Sequence, residues 1–232
     1  MSDTTWIQGN VAEAPVTERM TFIRRTYAHL LFAALAFVLL SWAFYRVGIG
    51  ERILAMIGES QYGWLLVLGG FMVVGWMASA MAATANTGIA YVGLGLYVVA
   101  EALIFSPIIL IAHDLYPGVL PQATILTGLG FAALTFYVFS TKKDFSFLGP
   151  GLAVVGLLAL GTIVAGAIFG FNLGTWFSVL MILFACGAIL YSTSKVLHKY
   201  TSTQYVAASL ELFAAIALLF WYVLRLLMDL RR

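Results

Sequence analysis

The chain of 232 residues is 62% hydrophobic and 9% charged, whereas about 25% of the residues in a soluble domain are charged. This composition excludes an ordinary soluble domain and indicates an integral membrane protein. The formal net charge is only +2 and the basic residues are spread along the chain, which argues against a nucleic-acid partner. The single cysteine, Cys186, excludes a disulfide or a thiolate metal site within one chain.

Apolar runs in the sequence are long enough to cross a hydrocarbon core, which takes roughly 20 helical residues. Because backbone polar groups inside a bilayer must bond to one another, each run is predicted to form an α-helix. The seven runs are 27–45, 64–83, 89–112, 123–139, 151–171, 176–192 and 205–228. The sequence therefore predicts an all-α integral membrane fold: a seven-transmembrane-helix bundle over 23–232, preceded by a polar cytoplasmic tail over 1–22.

Two segments outside the spans carry signals of their own. The first twenty residues lack the basic start and short apolar core of a cleaved signal, so the first span is expected to act as the insertion signal. The segment 46–60, RVGIGERILAMIGES, mixes charges with apolar residues. It suits either a short amphipathic helix along the membrane interface or an ordinary loop.

The distribution of basic residues predicts the orientation. With the N-terminus inside, seven basic residues lie on the inner side and five on the outer side, and all four lysines lie inside. This asymmetry favours a cytoplasmic N-terminus and an outer C-terminus. We expect a multi-pass protein of the cell inner (plasma) membrane, with the lipid bilayer as its first partner.

Acidic side chains occur within the predicted spans at two positions, Glu101 and Glu211. A charge at the bilayer centre costs at least about 2.5–3.5 kcal/mol, so such residues usually face a protein interior or a wet cavity. Counted from the inner ends of their spans, Glu101 lies about 18 Å deep and Glu211 about 9 Å deep. Both are candidate contacts for protons or for a transiently bound metal cation such as calcium.

Other polar residues could extend these carboxyl groups into a polar pathway. Tyr97 lies one turn before Glu101, Ser192 lies at the inner end of the sixth span, and His29 lies near the inner end of the first. Pro107 removes a backbone hydrogen bond and predicts a kink just beyond Glu101. The alternative is that both glutamates are protonated and simply hydrogen-bonded between helices, and that His29 has a packing role.

The sequence contains no recognisable catalytic constellation. It has no glycine-rich phosphate loop, no His-Glu-x-x-His motif and no serine-centred elbow. The histidines His29, His113 and His198 fall at the ends of different spans. We therefore expect a protein that is not an enzyme and that has no cofactor.

Four segments carry a family resemblance that covers nearly the whole chain. The loop STKKDFSFLGPGL, at 140–152, resembles the signature loop of the Bax inhibitor-1 family of seven-helix membrane proteins. The segments FIRRTYAHLL (22–31), SPI (106–108) and GAILYSTSKVLH (187–198) resemble the same family, in particular its bacterial YccA-like branch.

The resemblance implies two activities. One is a pH-sensitive calcium or proton leak through the bundle, and the other is modulation of the membrane-bound protease FtsH. Leak-forming relatives sense protons with paired aspartates on the sixth and seventh spans, but the matching positions here are Ser192 and about Ala215. The pair is therefore not carried over, and only Glu211, one turn before Ala215, could replace part of it. The buried glutamates favour the leak, and the missing aspartates favour the protease modulator.

Overall fold

A computed structural model describes residues 11–59 and 62–231, and it is helical throughout these ranges apart from turns and connections. Within the described residues the chain forms eight helices. They are α1 (Val16–Val47), α2 (Ile49–Gly58), α3 (Gly63–Ala82), α4 (Thr87–Leu115), α5 (Val119–Thr141), α6 (Leu148–Phe169), α7 (Gly174–His198) and α8 (Tyr205–Asp229).

All of these helices except α2 are long and apolar enough to cross a membrane, which confirms the predicted all-α architecture with seven spans. The helix α2 occupies the segment for which the sequence allowed either a short helix or a loop. Gly48, with a φ of 76°, separates α1 from α2. This left-handed conformation favours glycine, and it lets the chain turn between the two helices.

The helix α1 begins at Val16, inside the segment that the sequence assigns to a polar tail. Its 32 residues span about 48 Å, which exceeds a hydrocarbon core of about 30 Å. The first turns of α1 therefore extend beyond the membrane core. Residues 1–10 of the predicted tail lie outside the described residues.

The helices α4 and α8 form the centre of the bundle. Within their most apolar stretches, 61% of the residues of α4 and 56% of those of α8 are buried. The helix α4 packs against α1, α2, α3, α5 and α8, whereas α6 packs mainly against α7 and only lightly against α3. Side chains on α4 and α8 are therefore held by neighbours on several sides, while α6 lies at the edge.

Pro107 lies inside α4, and the helix continues through it to Leu115. Proline removes the amide donor that would reach the carbonyl of Leu103. The neighbouring hydroxyl of Ser106 donates a hydrogen bond of 2.7 Å to the carbonyl of Ala102. The helix therefore tolerates the proline just beyond Glu101 without ending there.

A close approach of α3 and α4 depends on Gly93. A Cβ atom at this position would lie 2.6 Å from the carbonyl oxygen of Ala78 and 2.8 Å from the amide nitrogen of Ala82. Both contacts are to backbone atoms, which cannot rotate away as a flexible side chain would. The two helices therefore meet at a small-residue contact of the kind that allows close packing inside membranes.

The Gly93→Ala variant is expected to unfold more easily than the wild type, by about 1–3 kcal/mol, because the added methyl group overpacks this contact. Chemical unfolding in detergent, followed by circular dichroism, measures the change. Gly95→Ala is the matched control, since a Cβ atom there meets no atom within 4 Å. If both variants unfold like the wild type, the α3–α4 contact is looser than the structure shows.

Candidate functional site

A cavity of about 940 Å³ lies between α3, α4, α6, α7 and α8. Its lining contains four of the five site residues that the sequence analysis names: Tyr97, Glu101, Ser192 and Glu211. The sequence gives their depth but not their common cavity, because this depends on how the helices pack. The structure therefore brings both span carboxyl groups to one internal space.

Glu101 lies at the middle of α4, fourteen residues from either end, and its side chain is only 5% exposed. The hydroxyl of Tyr97, one turn earlier on α4, interacts with its carboxyl group. The next residues of α4 that line the cavity after Glu101 are Ile104 and Phe105, which are apolar. Since an apolar environment disfavours a charge, ionisation of Glu101 requires water or a cation to enter the cavity.

Glu211 has a different environment, because it forms a polar network with α7. The ammonium group of Lys195 donates to Oε2 at 2.6 Å, and the hydroxyl of Ser192 donates to Oε1 at 3.1 Å. The hydroxyl of Tyr200, in the connection between α7 and α8, also donates to Oε2. The carboxylate thus has one cationic partner and two neutral donors.

Lys195 and Tyr200 are the members of this network that the sequence analysis missed. Lys195 follows Ser192 by three residues, so the two side chains share a face of α7, and this spacing was an available signal. Tyr200 gave no such signal, because its position depends on the path of the connection. Burial, followed by the nearby carboxylate of Glu211, raises the pKa of the Tyr200 phenol, which therefore stays protonated as a donor.

A second polar contact fixes the connection between α5 and α6 beside this network. The hydroxyl of Ser194 donates to Oδ1 of Asp144 at 3.1 Å and accepts from the amide of Phe145 at 2.9 Å. Hydrogen bonds from Ser146, with a smaller contribution from the hydroxyl of Ser194, lower the pKa of the Asp144 carboxyl. The contact joins the loop at 140–152, which includes the connection between α5 and α6, to Ser194 of α7. Ser194 is the residue directly before Lys195.

His29 lies apart from the cavity. Its Nδ1 atom is 2.7 Å from the carbonyl oxygen of Arg25, and its Nε2 atom is 3.0 Å from the hydroxyl of Tyr91. Because a carbonyl oxygen only accepts, Nδ1 donates to Arg25, whereas either partner of the contact between Nε2 and Tyr91 can be the donor. The ring also packs against Tyr91 and Tyr205. The structure thus does not bring His29 to the two glutamates.

The cavity continues beyond Glu101 to the opposite end of the bundle. Its lining there includes Asn172, Trp221 and Arg225, and most of its surface comes from apolar side chains. The cavity is therefore longer than the stretch between Glu211 and Glu101, and its far part is mostly apolar.

Among the described residues, no group of three or more histidine, cysteine, aspartate or glutamate side chains is arranged to hold a metal ion. Glu101 and Glu211 therefore lie at different depths and do not belong to one multidentate centre among the described residues. A cation at either position would need water or other oxygen atoms to complete its coordination.

Comparison with known proteins gives matches along the chain. A family profile described as "Inhibitor of apoptosis-promoting Bax1" matches residues 19–232. The Golgi anti-apoptotic protein of vaccinia virus is 37% identical over 110 residues, which is 47% of this chain and 46% of that protein. This match thus spans about half the length of the viral relative. No solved structure gives a significant match.

Two cellular relatives match over most of their length. Protein lifeguard 4 of Mus musculus is 27% identical over 221 residues, covering 94% of this chain and 88% of that protein. Bax inhibitor 1 of Schizosaccharomyces pombe is 28% identical over 222 residues, covering 94% and 79%. The seven-span fold and the profile match over residues 19–232 agree, and the chain belongs to the Bax inhibitor-1 family of multi-pass membrane proteins.

Proposed function

We propose that this protein is a non-enzymatic, pH-sensitive leak for calcium or protons, with Glu101 and Glu211 as protonatable cation contacts. The observation that carries the proposal is the single cavity lined by both carboxyl groups. Carboxylate oxygens are the ligands that calcium prefers, and they are also proton acceptors. An ionisable residue inside a membrane span is a functional candidate because its placement there is unfavourable.

The depths of the two carboxyl groups support a stepwise route. Along α8, Glu211 lies six residues after Tyr205, or about 9 Å from the helix start. Along α4, Glu101 lies fourteen residues after Thr87, or about 21 Å from the helix start. The starts of both helices lie on the same side of the membrane, since four spans separate them. A cation or proton that enters at this end meets Glu211 first and Glu101 second.

Flux through the purified protein in liposomes tests the proposal. Vesicles loaded with a calcium or a pH indicator are compared across a pH series, with protein-free vesicles as the background. Flux of either ion that exceeds the background and depends on pH supports the leak. The double variant Glu101→Gln/Glu211→Gln is the matched control, and equal flux in the wild type and the double variant would contradict the role of the carboxyl groups.

The alternative function is modulation of the membrane protease FtsH, as in the YccA-like branch. The resemblance favours it, because the positions that match the proton-sensing aspartates of leak-forming relatives fall on Ser192 and about Ala215, and neither residue is acidic. We expect the protein to co-purify with the protease and to slow the turnover of its membrane substrates. Protease activity that is the same with and without the protein would contradict this alternative.

We further propose that the protein lies in the cell inner (plasma) membrane with its N-terminus in the cytoplasm and its C-terminus outside. The odd number of candidate spans, seven, supports opposite sides of the membrane for the two termini of the chain. The contact between Asp144 and Ser194 supports placing the lysines of the α5–α6 connection at the same end as Lys195. Fusion of a reporter to each terminus checks the orientation. A C-terminal reporter active only in the cytoplasm would contradict it.

A further inference from the structure

Arg225 is the feature of the cavity that the proposed leak does not use. It lies twenty residues after Tyr205, or about 30 Å along α8, which is the thickness of a hydrocarbon core. It is partly buried and lines the cavity. Within the described part of the chain, its guanidinium group forms neither a hydrogen bond nor an ion pair. The opening of the cavity thus contains a cation without a direct polar partner among the described residues, and Asp229, one turn later on α8, lies outside the lining and forms no ion pair with it.

The surroundings of Arg225 fit an anion. Asn172 and Tyr222 also line this end of the cavity, and both carry side-chain donors. The acidic residues of the lining are Glu101, at the middle of the membrane, and Glu211, about 21 Å from Arg225 along α8. No carboxylate of the lining therefore competes for the guanidinium group, which matches phosphate geometry with two parallel N–H donors.

The cavity below Arg225 fits a hydrocarbon chain. Its lining between this end and Glu101 is apolar and includes Leu68, Ile104 and Leu160. Water gains little from filling such a space, because it finds few hydrogen-bond partners there. Counted from helix starts on the same side of the bundle, Arg225 lies about 30 Å along α8 and Glu101 about 21 Å along α4, so about 9 Å of depth separates them. The whole cavity, including the end lined by Glu211, has a volume of about 940 Å³, which lies within the range of sites that hold small ligands, about 300–1,000 Å³.

The wall of the cavity next to the bilayer is thin. The helix α6 packs only lightly against α3, and its buried residues are Ala159 and Gly166. The lining that α6 contributes includes Ala153 and Gly156, whose small side chains leave room beside them. A lipid chain can therefore reach the cavity sideways, between α3 and α6, without crossing a packed interface.

We propose that this half of the cavity binds one anionic phospholipid, with its phosphate on Arg225 and one acyl chain extending between α3, α4 and α6 towards Glu101. The binding requires both parts of the site: the guanidinium group selects the anionic headgroup, and the apolar lining holds the chain. The proposal concerns binding alone and does not depend on ion flux.

Native mass spectrometry of the full chain in detergent tests the proposal, by titration with phosphatidylglycerol and with phosphatidylcholine of the same acyl chains. We expect the first molecule of phosphatidylglycerol to bind about tenfold more tightly than phosphatidylcholine. Arg225→Gln is expected to remove this preference, while Arg225→Lys is expected to keep most of it. Arg52→Gln is the matched control, because Arg52 is an exposed arginine of α2 outside the lining.

Two further arms separate the lipid from other occupants. Inorganic phosphate is expected to compete weakly, because it lacks the acyl chain. Leu160→Trp, which fills the apolar part, is expected to weaken the binding of both lipids. The proposal is wrong if Arg225→Gln behaves like Arg52→Gln, if inorganic phosphate displaces the lipid at similar concentrations, or if Leu160→Trp binds both lipids like the wild type.

Discussion

The Glu101→Gln variant is expected to conduct calcium with a flattened pH response in liposomes. In the wild type, protonation of Glu101 removes an oxygen ligand from the middle of the cavity, so calcium flux is expected to fall as the pH falls. While a carboxyl group is mostly protonated, its ionised fraction changes about tenfold per pH unit. A flux that depends on the ionised form of one group can therefore change by the same factor. Glutamine preserves the size and a hydrogen-bonding group at the buried position, but it does not titrate.

Tyr97→Phe is the matched control for this prediction. It removes the polar neighbour of Glu101 on the same face of α4 while leaving the carboxyl group in place. This variant is expected to keep a pH response, although the midpoint shifts. If folded Glu101→Gln protein retains the wild-type pH dependence, Glu101 is a packed polar residue and another group senses the proton.

The fold was largely predictable because its strongest signals are local. Long apolar runs must be helical inside a bilayer, so the number and type of the spans follow from hydropathy and length alone. The start of α1 was less predictable. The polar residues between Val16 and Arg25 carry no membrane signal, yet they continue the helix beyond the hydrocarbon core. Outside the core, helix length and residue propensity, rather than hydropathy, determine where a helix begins.

The site was predictable only in part, because its members come from different helices. The cost of a carboxyl group inside a membrane singled out Glu101 and Glu211, and Tyr97 followed from its helical spacing. The pairing of Glu211 with Lys195 requires the packing of α7 on α8, which no local pattern encodes. The separation of His29 from the cavity has the same origin, since its ring is held by tyrosines of α4 and α8.

The pairing of Lys195 with Glu211 leads to the second large expected effect. Lys195→Met leaves the carboxylate of Glu211 with neutral donors only. Both side chains are about three-quarters buried, since 23% of Lys195 and 27% of Glu211 is exposed. An unpaired charge there is expected to lower the free energy of unfolding by about 1–3 kcal/mol. The ammonium group also occupies the place beside Oε2 that an incoming cation would take. Calcium flux per folded molecule is therefore expected to rise in Lys195→Met.

A double-mutant cycle with Glu211→Gln separates the two effects. The double variant Lys195→Met/Glu211→Gln has no charge at the site, so it is expected to recover much of the stability that Lys195→Met loses. It should not show the increased flux, because it lacks the freed carboxylate. Chemical unfolding in detergent gives the coupling energy, and liposome flux at one fixed pH gives the conduction. Flux in folded Lys195→Met that equals or falls below the wild type would show that Lys195 does not block the site. In that case the ion pair would only fasten α7 to α8.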